Sequence, residues 1–124
     1  MRTITLILCL FVLSCTEDKT ETNVFIGEIT AIESLTNITL GSSDTITVTF
    51  RGGTDGCAKP DHLEAAVAGN IITFKAFYNY PAHPAICPLN IPVHRLKYIY
   101  KPASKGSYTY KSFDNDVTAT TQVN

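Results

Sequence analysis

Apolar residues that recur at every second position in short runs, with turn residues between the runs, restrict this chain to β-structure. Thr45 to Phe50 (TITVTF) alternates without exception, with Ile46, Val48 and Phe50 on one face and Thr45, Thr47 and Thr49 on the other. Successive side chains of a strand point to opposite faces, so this run predicts a half-buried strand. Ile71 to Tyr80 places Ile72, Phe74, Ala76 and Tyr78 on one face and Thr73, Lys75 and Asn79 opposite. Val93 to Lys101 turns Leu96, Tyr98 and Tyr100 inward and Arg95, Lys97 and Lys101 outward, and Ser107 to Phe113 repeats the theme with Tyr108 and Tyr110. A last strand is predicted at Val117 to Val123 after the Asp114-Asn115-Asp116 turn, and shorter ones at Phe25 to Ile32, Ile38 to Leu40 and His62 to Val67. The segments Gly41-Ser42-Ser43-Asp44 and Gly52-Gly53-Thr54-Asp55-Gly56 carry turn chemistry. No stretch sustains a helical period.

Short strands with polar turns about every ten residues predict an all-β chain, an immunoglobulin-like antiparallel β-sandwich of seven to eight strands spanning residues 24–124. The 124 residues are 44% hydrophobic with six Tyr and six Phe, enough to bury a single core and contrary to disorder. A formal net charge of -1 gives no reason to expect a nucleic-acid partner. From Val24 onward acids and bases balance at eight each, but residues 24–64 hold six acids and two bases and residues 65–124 the reverse. In a sandwich these halves interleave, which predicts cross-strand charge pairing.

The first residues read as an address. Met1 and Arg2 precede an apolar run, Ile4 to Leu13, that stops at Ser14 and Cys15 before the polar Thr16-Glu17-Asp18-Lys19. A bilayer-spanning helix needs about 20 apolar residues, so this shorter run predicts a secretory signal peptide over residues 1–14. Val12-Leu13-Ser14-Cys15 resembles the lipobox of bacterial lipoproteins, although Leu13 stands where a smaller residue is commoner. The resemblance implies cleavage before Cys15, acylation of its thiol, and several acyl chains holding the protein to a membrane. Glu17 and Asp18 resemble sorting signals of some surface-exposed lipoproteins. Residues 15–23 then form a polar tether, and the expected location is the cell envelope, at the outer membrane, on either face.

With Cys9 removed and Cys15 acylated, Cys57 and Cys87 are left as one candidate disulfide, which an oxidising compartment favours. A redox-active or metal-binding pair is the alternative, though the spacing is not CxxC.

The succession TITVTFRGGTDGCAKPDHLE, NIITFKAFY, ICPLNIPVHRLKYIYKP and KGSYTYKSF resembles a group of small bacterial lipoproteins with an immunoglobulin-like domain. The resemblance implies that Cys57 pairs with Cys87, and that Gly106 and Tyr108 form a corner whose phenol bonds back to the chain. It implies no activity.

Tyr78/Tyr80, Tyr98/Tyr100 and Tyr108/Tyr110 each share a strand face, as core packing or as a stacking platform for glycans or peptides. His62, His83 and His94 are the transition-metal candidates, but no pair has i, i+2 spacing and the sole Met is Met1, so no metal or other cofactor is expected. Gly52 to Gly56 lacks the Gly-Lys-Ser/Thr of a phosphate loop, Gly-x-Ser-x-Gly is absent, and no residue is nominated for catalysis. Asp44-Thr45-Ile46 resembles a short bacterial O-glycosylation sequence. The most unusual stretch, Tyr80 to Pro92 (YPAHPAICPLNIP), holds four of six prolines and predicts a stiff extended loop pinned at Cys87. Such a loop loses little entropy on binding, which nominates Tyr80, His83, Pro84 and Ile86 as contacts for an envelope or extracellular protein or glycan. A crossover stiffened only for stability is the competing reading. The expectation is a non-enzymatic, membrane-tethered binding or structural module, with an inhibitor of an extracellular hydrolase as the alternative and a metal-binding protein third.

Overall fold

The Ile46/Val48/Phe50 face and the Ile72/Phe74/Ala76 face are buried against each other between two sheets, in a β-sandwich. This computed structural model describes residues 23–80 and 86–124. The signal segment, Cys15, the tether up to residue 22, His83 and Pro84 lie outside the described residues. Among those described there are nine strands and no helix: β1 (Val24–Ile26), β2 (Glu28–Glu33), β3 (Asn37–Ile38), β4 (Asp44–Arg51), β5 (Lys59–Ala68), β6 (Ile71–Asn79), β7 (Val93–Tyr100), β8 (Gly106–Ser112) and β9 (Thr118–Val123). One sheet has the order β2-β4-β7, and the other runs β1-β6-β8-β9-β3 with β5 on the outer side of β6.

The count exceeds seven to eight because the run from Phe25 to Ile32 is two strands in two sheets. β1 pairs with β6 and β2 with β4, and the chain changes sheets at Gly27. A Cβ there would fall 2.7 Å from Phe50 Cδ2 and 2.9 Å from the Arg51 carbonyl oxygen. The Gly27 N–H donates to the Ala76 carbonyl at 2.8 Å, so only a residue without a side chain passes between the layers at this point.

Most pairings are antiparallel, but β6/β8 and β3/β9 are parallel. β6 and β8 are joined through β7, which lies in the opposite sheet, and an out-and-back excursion of one strand returns the chain in its original direction.

The predicted charge pairing is only half realised. Glu28 faces Arg51 and Glu64 faces Lys75 in register. No Lys or Arg closes to within 4 Å of a carboxylate among the described residues, where the ion pairs present join His62 to Asp61 and Glu64. These opposed charges sit on solvated faces, where an ion pair gains little.

The tyrosines go mainly to the core. Tyr108 and Tyr110 are buried, and Tyr98 and Tyr100 pack half-buried on the core, with Tyr98 edge-on to Phe74 at 5.3 Å and Tyr100 at 6.1 Å from Tyr108. The Tyr108 hydroxyl donates to the Ser104 carbonyl at 2.9 Å just ahead of Gly106, whose φ is 137°. This is the corner the sequence resemblance implied, a phenol tying the start of a strand to the preceding turn.

Asp44 is a correction. Its GSSD context reads as a turn, yet it opens β4 and is fully buried. Its carboxyl oxygens accept from Tyr110 Oη at 2.9 Å, Thr121 Oγ1 at 3.0 Å and the Leu35 N–H at 3.2 Å. Burial, and then the Asp44 hydrogen bond, push the Tyr110 phenol well above its ordinary range. Of the glycosylation-like triplet, Asp44 and Ile46 are buried and Thr45 is exposed.

Candidate functional site

The loops that follow β4 and β6 converge at one end of the sandwich, and the chain enters at the same end. β4 and β6 both terminate there, at Arg51 and Asn79, while β7 starts at Val93 opposite Arg51 and β1 starts at Val24 opposite Asn79. Gly52-Gly53 continue β4, and a side chain at Gly52 would overlap the Tyr78 ring. Because Gly52 has none, Tyr78 lies flat on the backbone and Tyr80 folds over the next turn, where its hydroxyl accepts the Thr54 N–H at 2.6 Å. Phe25 completes an aromatic corner, stacked on Tyr78 at 5.5 Å and edge-on to Tyr80 at 6.1 Å.

The proline-rich loop is fastened beside this corner. Cys57 and Cys87 form a disulfide with their Cα atoms 5.1 Å apart. Asp55 Oδ1 accepts the Cys57 N–H at 2.9 Å, which shapes the turn before the cysteine. The Gly56 N–H donates to the Pro88 carbonyl at 2.7 Å, and the Pro88 ring packs where a Cβ of Gly56 would stand. Held in this way, the loop turns Ile86 and Leu89 outward with 91% and 97% of their surface in solvent. Ile91 meets Ile26, Tyr78, Arg51 and Gly52 in an open cleft of about 320 Å³.

No family model matches the chain, and neither does any curated protein or solved structure.

Of the nominated contacts, Tyr80 belongs to the aromatic corner and Ile86 to the fastened loop. Leu89, Ile91, Phe25 and Ile26 join them, although the sequence reading gave them no role in contact. A signal for Leu89 was present: it directly follows Cys87-Pro88, so a pinned backbone with no room to turn inward carries it.

The same geometry bears on the metal reading. Among the described residues, the one group of three potential ligands within 4.8 Å is Asp55, Cys57 and Cys87, and the disulfide removes both thiolates from it. His62 sits on the outer strand β5, stacked on Phe77 at 4.5 Å. Asp61, displaced at a bulge, bonds the His62 ring and accepts from Asn79 Nδ2 at 2.6 Å. The Asp61 hydrogen bond raises the His62 pKa, and the His62 hydrogen bond lowers that of Asp61.

His94 instead faces inward from β7 against Phe50, 7% exposed, and its Nε2 has no hydrogen-bond partner among the described residues. Burial lowers its pKa, while a hydrogen bond with the Gly52 backbone acts the other way. The unfolded chain therefore binds a proton below pH 6.5 that the folded chain refuses. Stability is complete above that pH and falls as the solution is acidified toward the folded pKa. His62 has the opposite sign: its contribution is present below pH 6.5 and is lost as pH rises through its raised value. Replacing His94 with Phe should flatten urea-unfolding free energy between about pH 7 and pH 5, whereas His62→Gln should leave that acid-side fall in place. An unchanged acid-side slope in His94→Phe would show that the buried ring is not its source.

Proposed function

We propose that this protein is a non-enzymatic binding or structural module of the cell envelope, tethered by an acylated Cys15, with the fastened loop and aromatic corner as its contact surface. The observation that carries this reading is the display of Ile86 and Leu89 almost entirely in solvent from a backbone held by a disulfide and by the Gly56–Pro88 hydrogen bond. A soluble domain rarely exposes adjacent large apolar side chains without a use for them, and a backbone already ordered loses little entropy on contact. The lipobox-like Val12-Leu13-Ser14-Cys15 supports the tether, and the Cys57–Cys87 disulfide suits an exported chain.

Intact-mass measurement on protein extracted from a bacterial envelope tests this. The expected species begins at an acylated Cys15 and gains the mass of two hydrogens on reduction. A Cys15→Ser variant should leave the membrane fraction. An unacylated chain, or undiminished membrane association of Cys15→Ser, would sink the tether.

A further inference from the structure

The end of the sandwich that displays its apolar residues is also the end at which the chain arrives from Cys15. Asn23 leads directly into Val24, opposite Asn79, beside Tyr80 and the loop of Ile86 to Ile91. The tether from Thr16 to Asn23 spans at most about 3.3–3.6 Å per residue, so fully stretched it reaches roughly 30 Å. The ten-residue strand β5 alone is about 33 Å long. A tether no longer than the domain, attached at one end, confines that end to within its own length of the surface that holds the anchor. The opposite end, with Gly69 and the β7–β8 turn, could reach that surface only if the tether ran back along the whole domain.

From this placement we infer that the partner of the exposed loop is the lipid surface itself: Ile86 and Leu89 insert into the bilayer beside the protein's own acyl anchor. The inference rests on the tether proposed above and names the partner of the same site.

The chemistry of the end fits an interface between water and hydrocarbon. Phe25 and Ile26 are half in solvent and flank Tyr78 and Tyr80. A tyrosine with its ring on apolar neighbours and its hydroxyl on polar groups suits the headgroup boundary. Tyr80 has that form, since its hydroxyl is held by the Thr54 N–H. Exposed charges at this end are mixed, with Arg51 and Lys59 set against Glu28 and Asp61. Attachment would thus come from apolar insertion, at the depth of about 5–10 Å typical of interfacial elements, and would not respond to salt. One acyl chain binds a membrane only marginally and a second signal makes attachment durable, so inserted side chains add to whatever lipid Cys15 carries.

The chain contains no tryptophan, so a single introduced one reports its own surroundings. Full-length Leu89→Trp and Val67→Trp, both at exposed positions, would be made in a bacterial host and extracted from its envelope. Each would be weighed for Cys15 acylation and reconstituted on vesicles of phosphatidylethanolamine and phosphatidylglycerol, with or without bromine on the acyl chains. The expected result is an acylated chain in which Trp emission of Leu89→Trp shifts to the blue and loses about half or more of its intensity to brominated lipid, at low and high salt alike. Val67→Trp, near the opposite end of β5, should show neither effect. Acylated protein with an unquenched Leu89→Trp overturns the inference and leaves the tether standing; this is the outcome if a protein or glycan occupies the loop. Equal quenching of both variants overturns it too, since the domain would then lie on its side. Absence of acylation removes the tether and the inference with it.

Discussion

Asp44→Ala should lower the unfolding free energy by about 3–4 kcal/mol, the largest loss expected of any polar substitution here. Three donors meet at this carboxyl: Tyr110 Oη, Thr121 Oγ1 and the Leu35 N–H. Alanine leaves them facing one another across a small void, and a buried donor without an acceptor costs about 1–3 kcal/mol. The sum stays below three full penalties because Thr121 can still donate to the Leu35 carbonyl. Tyr110→Phe removes one donor but leaves the carboxyl bonded to the others, so it should cost only about 1 kcal/mol. In the double variant the two losses should fall short of adding, since one of the orphaned donors is gone. Urea unfolding of the four proteins, with unchanged m-values, checks this. A loss below about 1 kcal/mol for Asp44→Ala would mean that water satisfies the donors and that the carboxyl is no structural centre.

The position of Asp44 explains why so much depends on it. It belongs to β4, while Tyr110 and Thr121 belong to β8 and β9 of the opposite sheet. The carboxyl therefore joins the two layers through the core, at the end of the sandwich remote from the loop of Cys87. Between that polar junction and the disulfide lie Ile46, Val48, Phe50, Ile72, Phe74 and Ala76, all fully buried. Apolar burial sets the two sheets face to face without fixing their relative position, and directional bonds at each end supply the register.

The apolar part of this arrangement was legible from period two alone. Thr45 to Phe50, Ile71 to Tyr80, Val93 to Lys101 and Ser107 to Phe113 all form strands with the expected inward faces, because alternation and burial are the same fact seen in one and in three dimensions. Asp44 was not legible. An aspartate after Gly-Ser-Ser has the chemistry of a turn, and what makes it a core residue is Tyr110 and Thr121, 66 and 77 positions away. Gly27 was hidden for a similar reason. Nothing in the run from Phe25 to Ile32 marks Gly27 as a break, and only the closeness of Phe50 and Arg51 reveals that the chain changes sheets there. At the candidate site, Tyr80, Ile86 and the cysteine pair were visible, because Tyr80, Ile86 and Cys87 lie in the proline-rich stretch and Cys57 is the other cysteine left to pair. Phe25 and Ile26 were not, because their role comes from the convergence of two loops and a strand end, which no single segment encodes.

The second large effect lies at that convergence. Opening the Cys57–Cys87 bond, by reductant or by replacing both cysteines with Ser, should lower the unfolding free energy by about 3–4 kcal/mol, the chain-entropy value for a closed loop of this size. The bond joins residues 30 apart. The loss should be shared unequally across the molecule. Ile72 and Phe74, deep in β6, open only when the whole domain does, so their amides should lose protection by the global amount and no more. The Gly56 N–H is bonded to the Pro88 carbonyl, and once the cysteines part, that contact and the Tyr80 hydroxyl on the Thr54 N–H are the main ties between these loops among the described residues. Its exchange should rise toward that of an open loop while the β6 amides remain slow. Hydrogen exchange with and without reductant separates the two effects. If Gly56 and the β6 amides lose protection in equal measure, the loop is held by the fold as a whole and the display of Ile86 and Leu89 does not depend on the disulfide. If Gly56 alone is released, the bond acts chiefly on the contact surface, keeping two exposed apolar side chains in one arrangement that the sandwich beneath them would not impose.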